Sequence, residues 1–280
     1  MKPNIDLHTP AARLALADIE QFTEEALTTP QSVEKAVIPL YHQPDGQRLM
    51  QIASGVLVKI KEEYFILSAS HVFDAIGNHA LLTGNCMGTP IQELVGERFS
   101  TPRDAHGTHT ADPLDASAYR ILSPISETLK ACAITPHDFD DPLLPSHGAY
   151  LFAGFRIKRS NTSGGAVYSH KEAFVACEVQ PDDYAYLHLN QDLHLALWHR
   201  RQRLLNNTWQ LSPTPRGFSG GAMIRIVNCQ TPSGVIRRQV LTGIIIEHRK
   251  KDAHIDGVLI GTKIAVHMAA IRRFMPELFQ

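Results

Sequence analysis

Arg216-Gly217-Phe218-Ser219-Gly220-Gly221-Ala222-Met223 is the stretch on which the reading of this chain turns. A serine hydroxyl is a poor nucleophile at its own pKa. A chain that uses one needs it on a sharp turn, beside a base, with backbone N–H groups aimed where negative charge develops. Gly217 can take backbone angles closed to other residues. Gly220-Gly221 let the chain pass close to a substrate before it enters the apolar run Ala222–Val227. Ser163-Gly164-Gly165 repeats the tripeptide, but it follows Asn161-Thr162 in a polar turn with no companion residues, and it reads as a loop. Ser219 differs because its companions stand upstream in a fixed order.

The first companion is a base. Tyr64-Phe65-Ile66-Leu67-Ser68-Ala69 reads as an apolar strand and runs directly into Ser70-His71-Val72-Phe73, which sets a histidine where a core strand ends. Imidazole alone among side chains has an ordinary pKa near neutrality, so it can take a serine proton and later give it to a leaving amine. A carboxylate must then hold the other ring N–H and stabilise imidazolium. Asp115 suits this role because it opens the small, apolar strand Asp115-Ala116-Ser117-Ala118-Tyr119-Arg120-Ile121. Asp112, just before Pro113, is the alternative acid and reads more like a solvated turn.

Composition sets limits on function. In 280 residues, 27 Lys+Arg stand against 28 Asp+Glu, a formal net charge of −1, so no overall field recruits nucleic acid or anionic lipid. Residues Met1 to Pro10 are polar and lack the apolar core of a signal peptide, and no later run approaches a membrane span. The four cysteines, Cys86, Cys132, Cys177 and Cys229, are far apart and form no Cys-x-x-Cys pair, which suits neither zinc nor a secreted disulfide framework. The expectation is a cytoplasmic protein with reduced thiols, no cofactor, no metal, and no nucleic-acid or membrane partner. Asp104, His106 and His109 form the one local group that invites a metal reading, and they supply too few ligands by themselves.

Along the chain, Thr9-Pro10 opens a helix over Ala11–Leu27, with Leu14, Ile19, Phe22 and Leu27 near one face. From Lys35 the pattern changes to short β-rich runs: Lys35–His42, Met50–Ile60 and Tyr64–Ala69, separated by Pro44-Asp45-Gly46 and Lys61-Glu62-Glu63. Further strands are expected at His79–Thr83, Gln92–Arg98, Ala118–Leu122, Ala149–Phe155, Ala173–Val179, Ala185–Leu189, Ala222–Val227, Val235–Ile246 and Val258–Thr262. His194 and His199 flank Trp198 and read as packing residues. Ile264–Phe279 has helical spacing that Pro276 limits. Many short strands and few helices mean a barrel or a sandwich.

Gly55-Val56-Leu57-Val58, Phe65-Ile66-Leu67-Ser68-Ala69-Ser70-His71-Val72, Asp115 opening its strand, Gly217-Phe218-Ser219-Gly220-Gly221 and Leu241-Thr242-Gly243-Ile244-Ile245-Ile246 together resemble the trypsin-like (chymotrypsin-fold) serine peptidases in residues and order. The resemblance implies an all-β fold, a double six-stranded antiparallel β-barrel with a closing C-terminal helix; the helix read at Ala11–Leu27 lies outside it, in an N-terminal helical extension (1–34). The protease domain would be 35–280, with barrels at about 35–135 and 136–262. It implies His71 as general base and acid, Asp115 as its orienting partner and Ser219 as nucleophile, with the N–H groups of Gly217 and Ser219 as oxyanion hole. The expected activity is that of an intracellular serine endopeptidase acting through an acyl-enzyme on a protein or peptide, under the control of a regulatory protein partner or an effector. The alternative is a catalytically inactive trypsin-like fold that binds peptides.

Two departures bear on how such a protein would work. Phe218 stands where zymogen-activated members carry an aspartate that pairs with a newly cut N-terminus, so activation by that route is not expected. The resemblance maps substrate contacts to Pro213 and Thr214, to Ile246, Glu247 and His248, and to Gly257. Pro213 occupies the position of the acid that selects Lys or Arg, so tryptic specificity is not expected.

Overall fold

The computed structural model of the protein describes residues 9–280 except 31, 45–47, 85–89, 142, 145, 164–165, 200–201, 206–207, 232–233 and 253–254; in parts of some helices and strands it describes the backbone alone. The Asp45-Gly46 turn, Gly164-Gly165 and Cys86 lie outside the described residues. Among the described residues, Cys132, Cys177 and Cys229 form no disulfide. Among the described residues, no helix is long and apolar enough to cross a membrane.

Helix α1 (Pro10–Thr28) leads into the strands β1 (Val37–His42), β2 (Met50–Ile60) and β3 (Glu63–Ala69), then the short helix α2 (Ser70–Ile76). Strands β4 (Leu81–Thr83), β5 (Gln92–Leu94), β6 (Gly96–Ser100) and β7 (Ala116–Ile121) complete a first antiparallel sheet of order β5-β4-β1-β2-β3-β7-β6. Helix α3 (Glu127–Lys130) lies in the connection to a long hairpin, β8 (Ser146–Ser163) and β9 (Ala166–Ala176), which is followed by α4 (Pro181–Tyr186) and β10 (His194–Trp198). A small two-stranded sheet, β11 (Gln202–Leu205) and β12 (Thr208–Leu211), precedes β13 (Ala222–Thr231), β14 (Gly234–Arg249) and β15 (Val258–Lys263). The second large sheet has the order β10-β15-β14-β13-β8-β9, and α5 (Ile264–Phe274) closes the chain before a final 3-10 turn at Pro276–Phe279. The molecule is thus mostly β, two curled antiparallel sheets of seven and six strands with few helices.

Residues along the central strands are buried on both faces, which is why the sequence shows continuous apolar runs there instead of clean alternation. In β3, Phe65 and Leu67 enter one core cluster and Ile66 another. In β14, Ile244, Ile245 and Ile246 enter three different clusters. The first cluster joins the two sheets, packing Val56, Phe65 and Leu67 with Leu151, Ile224 and Ile244. It also takes in Ala26 of α1 and Ile264 and Ile271 of α5. A salt bridge of 2.9 Å from Arg237 to Glu25 further holds α1 to β14.

Two expectations from the sequence need correction. Ala185–Leu189 is not a strand: Pro181 occupies the first helical turn, Asp182 and Asp183 favour its N-terminal end, and Gln180 with Asp183 forms a capping box, so α4 takes this segment. The strand falls instead on His194–Trp198, where histidines at both ends mask an apolar centre of Leu195, Ala196 and Leu197.

His267 on α5 is fully buried and donates from Nδ1 to the carbonyl of Ser117 at 3.2 Å. Burial pushes its pKa down from 6.5 to about 4, against a small opposing effect of that hydrogen bond. The unfolded chain therefore binds a proton that the folded chain refuses, and this linkage favours unfolding as pH falls. Stability should be steady above about pH 6.5 and fall by up to about 3 kcal/mol between there and pH 4 on account of this group. Denaturant unfolding across that range should show the loss, and His267→Gln should flatten it.

Candidate active site

Antiparallel pairing puts the end of one strand beside the start of its neighbour. The register of β3 with β7 pairs Ala69 with Ala116, so the residues after Ala69 and before Ala116 share one end of the sheet. Those residues carry His71 and Asp115. The Asp115 carboxylate receives the backbone N–H of His71 at 2.8 Å on Oδ1 and stands 2.5 Å from His71 Nδ1 on Oδ2. Ser70 N–H donates to the Asp115 carbonyl at 2.8 Å, and the Ser70 and Ser117 hydroxyls meet at 2.7 Å. Asp115 is buried and has a φ of 44°, a left-handed conformation that costs a non-glycine residue on the order of 1 kcal/mol or more. Asp112 has other partners: Thr101 Oγ1 donates to it, and it accepts the N–H of Leu114 at 3.0 Å.

Both oxygens of Asp115 face His71, so a ring N–H at Nδ1 is the arrangement that satisfies the carboxylate and leaves Nε2 free to accept a proton. Next along α2, Asp74 binds His109 Nδ1 at 2.8 Å and Arg98 Nη2 at 2.9 Å, while His109 Nε2 faces the Thr101 carbonyl at 2.9 Å. Burial alone would raise the Asp74 pKa, but these donors outweigh it and hold the carboxyl below its usual range. His109 thus braces the segment between β6 and β7 against the helix that carries His71. Asp104 accepts from the N–H groups of His106 and Thr108 in its own loop at 2.9 and 3.0 Å. Among the described residues, no group of His, Cys, Asp and Glu is arranged to hold a metal ion.

Ser219 lies on the turn that enters β13. Gly217 and Gly220 have φ of 101° and 80°, where side chains are strained, and a Cβ on Gly220 would overlap Ser54 O and Ser68 Oγ. That close approach fixes the turn against β2 and β3, with Ser68 three residues ahead of His71. Phe218 is fully buried, its ring 6.0 Å from Phe152 and 6.1 Å from Phe174, so an apolar plug anchors the turn. Among the described residues, the N–H groups of Gly217 and Ser219 find no acceptor, whereas those of Phe218, Gly220 and Gly221 bond to Pro215, Ile245 and Phe218 carbonyls. No hydrogen bond joins Ser219 Oγ to His71 among the described residues.

Ser54 is the site residue that sequence reasoning missed. Its N–H donates to Ser219 O at 2.9 Å, and its hydroxyl donates to Gly217 O at 2.9 Å while accepting Phe155 N–H at 2.8 Å. Its carbonyl accepts Ser68 Oγ at 3.0 Å. One serine of the first sheet therefore fixes the peptide planes that follow Gly217 and Ser219. A small hydroxyl beside Gly55 was the available signal, and a lone serine in an apolar strand is easily passed over.

An open cleft of about 690 Å³ runs past the turn, lined by Met50, Ile52, Ala75, Ile157, Thr214, Arg216, Gly217, Ser219 and His248 among others. Thr214 and His248 thus line it. Pro213 and Gly257 instead engage His199, whose Nε2 donates to Pro213 O at 3.1 Å and whose N–H donates to Gly257 O at 2.7 Å. Ile246 turns into the core, and Glu247 is exposed and paired with Arg249 at 3.0 Å. The His199 and His248 rings meet edge to face at 5.1 Å. Burial, with Lys250 adding to it, lowers the His248 pKa.

No protein-family model matches the chain, and no curated protein matches it. The functional reading therefore stands on residues and geometry.

Ser54→Ala should leave the buried Gly217 carbonyl and Phe155 N–H without their partner and cost about 1–3 kcal/mol. The expected readout is a lower urea midpoint with an unchanged slope.

Proposed function

We propose that the protein is a serine endopeptidase of the trypsin-like class, with the two curled sheets as its two barrels. The observation that carries the reading is the 2.5 Å contact between His71 Nδ1 and Asp115 Oδ2 at the end of the β3–β7 pair. In this reading Ser219 Oγ attacks a peptide carbonyl as His71 Nε2 takes its proton, and Asp115 stabilises the imidazolium. The N–H groups of Gly217 and Ser219 receive the oxyanion. The tetrahedral intermediate then expels the amine, which takes the proton from His71. Water, deprotonated by the same imidazole, releases the acyl group from Ser219 and restores the hydroxyl.

Among the described residues, the end of β14 has one edge with no strand partner, and this supports a peptide substrate. β13 pairs with β14 only as far as Ala222 with Ile244, while β14 continues to Arg249, paired with β15 on its other side. The backbone of Glu247–Arg249 can therefore add a strand of substrate beside the cleft. Phe218 supports a turn that is set by packing, with no role for a newly cut N-terminus. Control by a partner protein or effector is part of the proposal: among the described residues Ser219 Oγ makes no hydrogen bond to His71, and catalytic bonds of this kind often tighten when substrate or an effector binds.

That missing bond also favours a second reading, an inactive fold that holds peptides along β14. A fluorophosphonate probe, which reacts with activated serines, separates the two. Wild type should label, Ser219→Ala and His71→Ala should not, and Asp115→Asn should label at least about 10³-fold more slowly. A folded wild type that binds extended peptides but stays unlabelled, alone and with candidate partners, would mean the inactive module.

A further inference from the structure

We propose that Thr262 and His194, both on the second sheet, are positioning residues that hold Asp115 in place from across the molecule. The inference rests on the reading of Ser219, His71 and Asp115 as a triad. Asp115 sits in a left-handed conformation at the end of an irregular segment, so something must hold it there. Three successive carbonyls are tied. His194 Nε2 donates to Pro113 O at 2.9 Å, Thr262 Oγ1 donates to Leu114 O, and Ser70 N–H donates to Asp115 O at 2.8 Å. The last tie comes from the first residue of α2, just past the end of β3, and the other two come from the second sheet.

The two donors are built for this task. His194 and Thr262 are direct cross-strand partners in the β10–β15 pairing, so adjacent side chains grip adjacent carbonyls. Thr262 is fully buried and His194 nearly so. His194 Nε2 faces the Pro113 carbonyl, which can only accept, so that ring nitrogen carries a proton; Nδ1 lies 3.2 Å from Asn190 N–H and 3.1 Å from Asn190 O, which holds the ring from its other side.

The row these residues occupy gives the clamp its meaning. Thr262 pairs with Ile244, and Ile244 pairs with Ala222, the first residue of the strand that leaves the Ser219 turn. One row of the second sheet thus carries the serine turn at one end and the grip on the acid loop at the other. Ser219 and Asp115 are registered to each other through Ala222, Ile244, Thr262 and His194, and Asp115 in turn holds His71.

The test compares wild type with Thr262→Val, which keeps the shape and removes the donor, and Thr262→Ser, which keeps the donor. His194→Phe serves as a second variant should Thr262→Val fail to fold, and thermal unfolding confirms that each protein is native at the assay temperature. The readouts are the rate constant of fluorophosphonate inactivation and the low-field proton resonance of His71 Nδ1–H. Thr262→Val should slow inactivation about tenfold or more and shift or broaden the resonance, while Thr262→Ser should stay near wild type in both. A folded Thr262→Val with wild-type rate and resonance would overturn the proposal. A wild type that never labels would defeat the triad reading instead. The resonance would then still decide the clamp, upholding it if Thr262→Val alone disturbs the signal and overturning it if the signal is unchanged.

Discussion

Antiparallel pairing of β3 with β7 is the constraint from which the candidate site follows. It obliges the residue that leaves one strand to neighbour the residue that enters the other, so a histidine and an aspartate 44 positions apart in sequence come into contact without any special loop. The pairing is stable because both faces of these strands are buried. Phe65, Ile66 and Leu67 leave no face exposed to water, and slipping the register would carry Ser68 and Ser117 out of the places where their hydroxyls are satisfied. The core thus fixes the chemistry indirectly, by making one register far better than the alternatives.

The serine turn depends on the second sheet and on how closely it meets the first. Ser54 and Ser68 supply polar partners in an otherwise apolar junction, and Gly220 supplies the space. The junction carries hydrogen bonds that a purely apolar contact would lack, and these are directional. Apolar packing of Leu151, Ile224 and Ile244 against Val56 and Leu67 brings the sheets together, while Ser54 sets how the turn's carbonyls point.

Some of this was legible in the sequence and some was not, for physical reasons. The strand before His71, the aspartate that opens β7 and the glycines around Ser219 are local features, written in apolar runs and in residues whose backbone freedom is unusual. Asp115 over Asp112 followed from the same local logic, since one enters a strand and the other precedes a proline. Contacts across long sequence separations left no such trace. Ser54 carries only a weak local mark, a small hydroxyl beside Gly55, and that mark does not point to Gly217 as its partner. Nothing in His194-Leu195-Ala196-Leu197-Trp198 says strand more strongly than Ala185–Leu189 did, because the two short apolar segments differ mainly in the proline and acids that precede the second. Of the residues mapped to substrate contact by resemblance, Thr214 and His248 reach the cleft. Ile246 does not: it falls at the register shift between Ile245 and Glu247 in the pairing with β15, where alternation is interrupted, and it packs into the core.

The plug formed by Phe218 with Phe152 and Phe174 has a consequence for conditions. An ion pair in that place would weaken with added salt and would depend on the protonation of both partners. A cluster of three rings carries no charge and titrates nowhere, so the anchor of the serine turn is indifferent to ionic strength and acidity. Its strength varies with temperature instead. Apolar burial loses driving force on cooling, so the contribution of this plug shrinks in the cold while the Ser54 hydrogen bonds to the same turn persist.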